Sequence, residues 1–145
     1  MRRNIERPVF FMDTLMTSTQ RSIDVPGAGH NAPIPLGARV GPLLCSSGIS
    51  GKDPANGQLP ADVHAQVRLA FSNMDALLAS GGATLSHVAK LHITIKDNAA
   101  RDAINAEWLA RFPDPHDRPA RHIVQHDLQH GMALQIEVTA FITAT

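Results

Sequence analysis

Apolar and polar positions alternate along this chain in two rhythms. Over 61–80, Val63, Val67, Ala70, Phe71, Met74, Leu77 and Leu78 recur every three or four residues, one apolar stripe on a helix. Asp62 and His64 stand at its start, and Gly81-Gly82 stop it. Over 88–96 the period drops to two. Ala89, Leu91, Ile93 and Ile95 alternate with Lys90, His92, Thr94 and Lys96, a strand with one wet face. Asn98 is placed to cap a second helix over 99–112, with Ala100, Ile104, Trp108 and Phe112 on one side and Pro113 ending it. Arg121–Gln125 reads as a short strand, Asp127–Gly131 as a loop, and 133–143 as a final strand. That last strand sets Leu134, Ile136, Val138, Ala140 and Ile142 against Gln135, Glu137, Thr139, Phe141 and Thr143. Upstream, 23–27 reads as a first strand, and Leu36–Val40 and Pro42–Ile49 as two more about a Gly41-Pro42 turn. Lys52–Gly57 is dense in turn formers.

The order is βββ-α-β-α-ββ. It predicts an α+β domain in which two helices cover one face of a six-stranded mixed sheet. The other face keeps residues such as Ile93 or Phe141, and a bare apolar sheet face is an interaction site. Residues 1–20 share no period and read as an N-terminal extension, leaving 21–145 as one domain.

Composition narrows the class. Lys+Arg and Asp+Glu are 13 each, and a net charge of zero argues against a chain that lives by phosphate-backbone contacts, so nucleic acid is not the expected partner. One cysteine, Cys45, excludes a disulfide framework; it sits in an apolar stretch and reads as a small core residue. No apolar run approaches the roughly 20 residues of a membrane span, and no signal-peptide pattern opens the chain. The expectation is a cytoplasmic protein without membrane contact.

The candidate chemistry is sparse. His122, His126 and His130 are spaced by four, which would stack three imidazoles on a helix, but their neighbours favour strand and loop, so a metal site is not expected. Gly27-Ala28-Gly29-His30 lacks the last glycine and the following helix of a phosphate loop. Trp108 lies on an apolar stripe and reads as core. Glu137, one of only three glutamates, sits in the middle of the best-formed strand, and Arg121 opens the strand before it. If those strands lie close, a guanidinium fork for a substrate carboxylate and a carboxylate for a water share one cleft.

Four stretches in this order resemble the YjgF/RidA family of enamine/imine deaminases, also labelled endoribonuclease L-PSP. They are Ala38 to Gly48; Ala65-Gln66-Val67 with Asn73 and Ser80 to Leu85; Ile104 to Trp108 with Phe112; and Pro119-Ala120-Arg121 with Leu134 to Val138. The resemblance implies a chorismate mutase-like fold and a homotrimer with clefts between subunits. It also implies a hydrolase that releases ammonia and a keto acid from a small carboxylate-bearing enamine or imine, with no metal or organic cofactor. It places the carboxylate-binding arginine on Arg121 and the water-positioning glutamate on Glu137. Other pocket positions fall on Ser47, Gly48, Asn105, Ile34 and Ile123. Ile34 stands where such deaminases carry tyrosine, and Ile123 where many carry cysteine. One extra residue within His126–Gly131 makes that loop similar to the 2-aminomuconate deaminases. The tyrosine and cysteine losses point to a larger or more apolar substrate. Two alternatives stay open: a trimeric keto acid-binding or regulatory protein without turnover and, third, a ribonuclease.

Overall fold

The computed structural model describes residues 20–144; the N-terminal extension expected over 1–20 lies almost wholly outside the described residues. In chain order the elements are β1 (Ser22–Ile23), β2 (Gly37–Val40), β3 (Leu43–Ser46), α1 (Val63–Ser80), β4 (Val88–Ile95), α2 (Arg101–Arg111), β5 (Ala120–Gln125) and β6 (Leu134–Phe141). This is the expected order. The strands form one six-stranded sheet, β1-β2-β3-β6-β4-β5, antiparallel throughout except for the parallel β4–β5 pair. A parallel pair needs a crossover, and α2 supplies it.

The termini of α1 are fixed by local chemistry. Asp62 Oδ2 accepts the Ala65 N–H at 2.9 Å, an N-cap. At the other end Gly82 takes φ +79°. The N–H groups of Gly82 and Ala83 bond the carbonyls of Ala79 and Leu78, so the last turn is closed by a residue that tolerates the left-handed region. α2 differs from expectation: a 3₁₀ turn, Asn98–Ala100, precedes it, and Asp97, not Asn98, caps that turn by accepting the Ala99 N–H. Asn98 Oδ1 instead accepts from Arg101 Nε at 2.9 Å.

Both helices pack on one sheet face. Val67, Phe71, Met74, Leu77 and Leu78 of α1 and Ile104 and Trp108 of α2 meet Leu44, Leu91, Ile93, Ile95, Leu134, Ile136, Val138 and Ala140, all buried. Ile93 therefore belongs to the helix-covered face, not the open one: its partner Ile136 has the same orientation. A register irregularity between Val88 and Lys90 turns Ala89 outward, so Val88 takes the buried place expected for Ala89. Cys45 is also a correction. It is exposed, because its neighbour Leu44 takes the core side of β3 and strict alternation sends Cys45 to the open face. The first three strands are shorter than expected, and Ile49 contributes only an isolated bridge to Ile136.

The open face carries an apolar row. Val40 pairs with Leu43, and Leu43 with Phe141; these three are 63%, 44% and 53% exposed. Farther along, the same face is polar, with Gln135 and Glu137 of β6, His92 and Thr94 of β4 and His122 of β5.

Two buried polar side chains of α1 organise the loops. Gln66 donates to the carbonyls of Pro60 and Gly131 and accepts from the Ala133 N–H, which fastens the His-bearing loop. Asn73 donates to the carbonyls of Ser50 and Lys52. The helices are joined by Arg111 of α2. Its guanidinium grips Asp75 of α1 at 2.8 Å, bonds Glu107 at 2.7 Å and lies over the Phe71 ring. Burial works against its charge, but the two carboxylates outweigh that and hold its pKa above the ordinary arginine value.

Candidate active site

The expected site residues fall into two groups. The first lies where the edge strand β5 meets α2. Arg121 pairs with Leu91 across the sheet and shares its orientation, toward the helices. Its guanidinium stacks on Trp108 of α2, 4.9 Å from the ring centre. Nη1 is buried and has no hydrogen-bond partner among the described residues. Burial first, and then the charge of Arg101, push the Arg121 pKa below its ordinary value. A buried N–H donor without an acceptor costs on the order of 1–3 kcal/mol, a cost an arriving carboxylate removes. Asn105 is exposed on α2, one turn before Trp108. Ile123, two residues after Arg121, packs against the core from the same side. Trp108 is thus core, as expected, but also the platform for a cation.

The second group lies on and beside the open face. Glu137 pairs with His92 of β4, and its Oε2 is 3.1 Å from His92 Nδ1, so the imidazole N–H donates to the carboxylate. His92 in turn meets His122 edge to face, ring centres 5.5 Å apart. Gly48 lies against β6: a Cβ there would stand 3.1 Å from the Gln135 carboxamide. Ser47 is tied to the chain turning into β2, its N–H bonding Leu36 O and its hydroxyl donating to Pro35 O at 2.9 Å. Ile34 is 48% exposed in that same segment. Nearby, His30, Lys52, His130 and Gln135 line a cavity of about 260 Å³.

The shared cleft expected for Arg121 and Glu137 does not form within one chain. β4 separates β5 from β6, so the two residues stand two strand spacings apart, about 10 Å. They also point to opposite faces: Arg121 shares its row with Leu91 and Val138, Glu137 its row with His92 and His122. Ser47 and Gly48, following β3, are farther still from β5. The three spaced histidines disperse as well. His122 lies on the open face, His126 bonds the Asp127 carbonyl, and His130 lines the cavity at φ +62°. His92, which orients Glu137, was not singled out from sequence. Alternation placed it on a wet face, but only the β4–β6 register places it opposite the glutamate.

A sequence model of the family described as endoribonuclease L-PSP matches residues 34–142, most of the chain. The chain belongs to this family, the YjgF/RidA proteins. Among the relatives it resembles, a 2-iminobutanoate/2-iminopropanoate deaminase of Escherichia coli is 30% identical over 120 residues, covering 78% of this chain and 94% of that one. A RutC family protein of Haemophilus influenzae is 32% identical over 119 residues, 77% of this chain and 92% of its own length. Among solved structures, E. coli TdcF with bound serine superposes with a TM-score of 0.77 at 28% identity, covering 86% of this chain and all of that one. In this YjgF/RidA chain the family match at 34–142 spans Ile34, Ser47, Gly48, Asn105, Arg121, Ile123 and Glu137. Among the described residues no helix is long and apolar enough to cross a membrane.

Proposed function

We propose that this chain is a hydrolytic deaminase of small enamine and imine carboxylates, working in clefts between the copies of a homotrimer. The observation that carries the reading is Arg121 Nη1: a buried guanidinium donor, stacked in place and without a partner among the described residues. The deaminase relative and the serine seated in TdcF support a small carboxylate-bearing ligand. The assembly has a physical motive in the apolar Val40–Leu43–Phe141 row and in the division of the site between two faces. One copy brings its Arg121 edge and another its Glu137 face.

In this cleft the substrate carboxylate docks on Arg121 through paired N–H···O bonds. Glu137, held by His92, accepts a proton from a water and directs its oxygen to the C=N carbon. The nitrogen takes up a proton as the C–O bond forms, giving a carbinolamine. The hydroxyl proton then moves to nitrogen as the C–N bond breaks, so that one water is consumed and ammonia and a 2-keto acid leave. Backbone groups at Ser47 and Gly48 orient the imine nitrogen, with Ile34, Asn105 and Ile123 shaping the walls.

The test is ammonia release from freshly generated 2-iminobutanoate, beside calorimetric binding of 2-ketobutyrate. Turnover that is lost in both Arg121→Ala and Glu137→Gln supports the reading. Saturable binding without turnover in the wild type moves the protein to the ligand-binding alternative. Cleavage of RNA without deamination moves it to the ribonuclease one.

A further inference from the structure

The 260 Å³ cavity has walls from three loops, residues 28–32, 50–59 and 130–135. Buried chemistry holds each of them. Asn73 of α1 donates to the carbonyls of Ser50 and Lys52 and fixes the second wall. Gln66 donates to the Gly131 carbonyl and accepts from the Ala133 N–H, which fixes the third. Both amides are buried. The first wall is pressed against the second at Gly27, φ +82°, where a Cβ would collide with the Pro54 backbone. Lys52 Nζ ties the two together by donating to the Gly29 carbonyl at 2.8 Å.

The lining is cationic and unbalanced. Lys52, His30 and His130 line the cavity, and among the described residues no carboxylate does. Lys52 spends one of its three donors on Gly29 and forms no ion pair among the described residues. Arg111, a cation that serves structure, is instead gripped by Asp75 and Glu107. His30 Nε2 is buried without a hydrogen-bond partner among the described residues. Buried polar atoms are ordinarily paired, so this one marks a place for a partner. His130 holds φ +62°, the one non-glycine residue with positive φ among the described residues, a conformation that gathers at ligand sites. Asn31, Ser50 and Gln135 add amide and hydroxyl groups to the same walls.

We propose that this cavity is a second binding site, separate from the Arg121 cleft, for the phosphate group of a small ligand. Its donors outnumber the two oxygens of a carboxylate and suit the three or four of a phosphate. It offers an ammonium and imidazoles in place of the planar guanidinium fork that matches a carboxylate. The volume is near the lower end for ligand pockets, roughly 300 Å³, which suits free phosphate or a short phosphate ester. Gln135 lies between this cavity and Gly48, so the two sites share a wall and no cation.

The experiment reads Tm and calorimetric binding of the full chain with inorganic phosphate, glycerol 3-phosphate and acetate, against chloride at equal ionic strength. At ten times its Kd, at least one phosphate probe raises the wild-type Tm by roughly 3–6 °C, and acetate and chloride do not. Tighter binding of inorganic phosphate assigns the site to the free ion, and tighter binding of glycerol 3-phosphate to an ester. Lys52→Gln lowers phosphate affinity about 10-fold or more, and Lys52→Arg restores part of it. His30→Leu removes an unpartnered buried nitrogen, so without phosphate its Tm equals or exceeds that of the wild type, and the rise with phosphate shrinks. A purely structural His30 would instead lower Tm on replacement and leave the phosphate response intact. Arg121→Ala keeps phosphate binding. Equal shifts with phosphate, acetate and chloride overturn the inference. So does phosphate affinity that is lost in Arg121→Ala and kept in Lys52→Gln, or a wild type that binds neither phosphate probe.

Discussion

The two faces of the sheet solve different problems. On the helix-covered side the large apolar side chains pack into one core, and at its rim the Arg121 guanidinium holds a buried donor without a partner among the described residues. On the open side the apolar row Val40–Leu43–Phe141 is left exposed among the described residues, while Glu137 is already oriented by His92. The covered side is complete as a core and incomplete as a site. The open side has an oriented carboxylate and no core. That asymmetry makes a second copy the economical explanation for both: it covers the row and brings the carboxylate to the cation.

The largest expected effect separates the chemical roles of the two faces. Glu137→Gln lowers turnover about 10²-fold or more with keto acid affinity nearly kept, the pattern of a group that acts mainly in the transition state. Arg121→Ala weakens 2-keto acid binding roughly 10- to 150-fold, from about 1.5–3 kcal/mol of charge-assisted contact. Arg121→Lys falls nearly as far, because it keeps the charge and loses the planar fork. Steady-state ammonia release beside calorimetry reads both; the same loss of binding in Glu137→Gln would merge the roles.

A second pair of changes attacks the open face alone. Leu43→Asp with Phe141→Asp places two carboxylates on the apolar row. Light scattering should fall from three times the 15.6 kDa chain mass to the chain mass itself, with circular dichroism unchanged. A variant that still assembles would show that the row is not the interface. On the covered side, Arg111→Ala unties α1 from α2 and leaves Asp75 and Glu107 facing each other. It costs about 1–3 kcal/mol, a fall in Tm of roughly 2–10 °C by calorimetry, without changing the assembly. The smallest effect belongs to deletion of residues 1–16, where the sequence has no period. Tm should fall by less than about 8 °C and the assembly should persist; a larger fall or loss of solubility would make the segment part of the core.

The element order was legible because each element shows its period: α1 by its three-and-four stripe, β6 by clean alternation. Cys45 was misread because Leu43-Leu44-Cys45 is continuously apolar, so sequence alone does not say which residue faces the helices; pairing with Ala38 and Thr139 decides it. Ile93 and Ala89 depend on where β4 slips its register. For the site, Arg121 and Glu137 carried their signals in residue type and resemblance, but their separation did not. Strand order is a long-range property, and β4 between β5 and β6 leaves no local trace. His92 was visible only as a wet-face histidine until the fold placed it beside Glu137.

The central claim is that Arg121 and Glu137 serve one cleft from different copies, and subunit complementation tests it directly. Arg121→Ala and Glu137→Gln chains, each inactive alone, are unfolded together in equal amounts, refolded, and shown by native mass spectrometry to form mixed trimers. Clefts between copies give about a quarter of them both native groups, so ammonia release should return to about a quarter of the wild-type rate. Mixed trimers that remain as inactive as either parent would contradict the account.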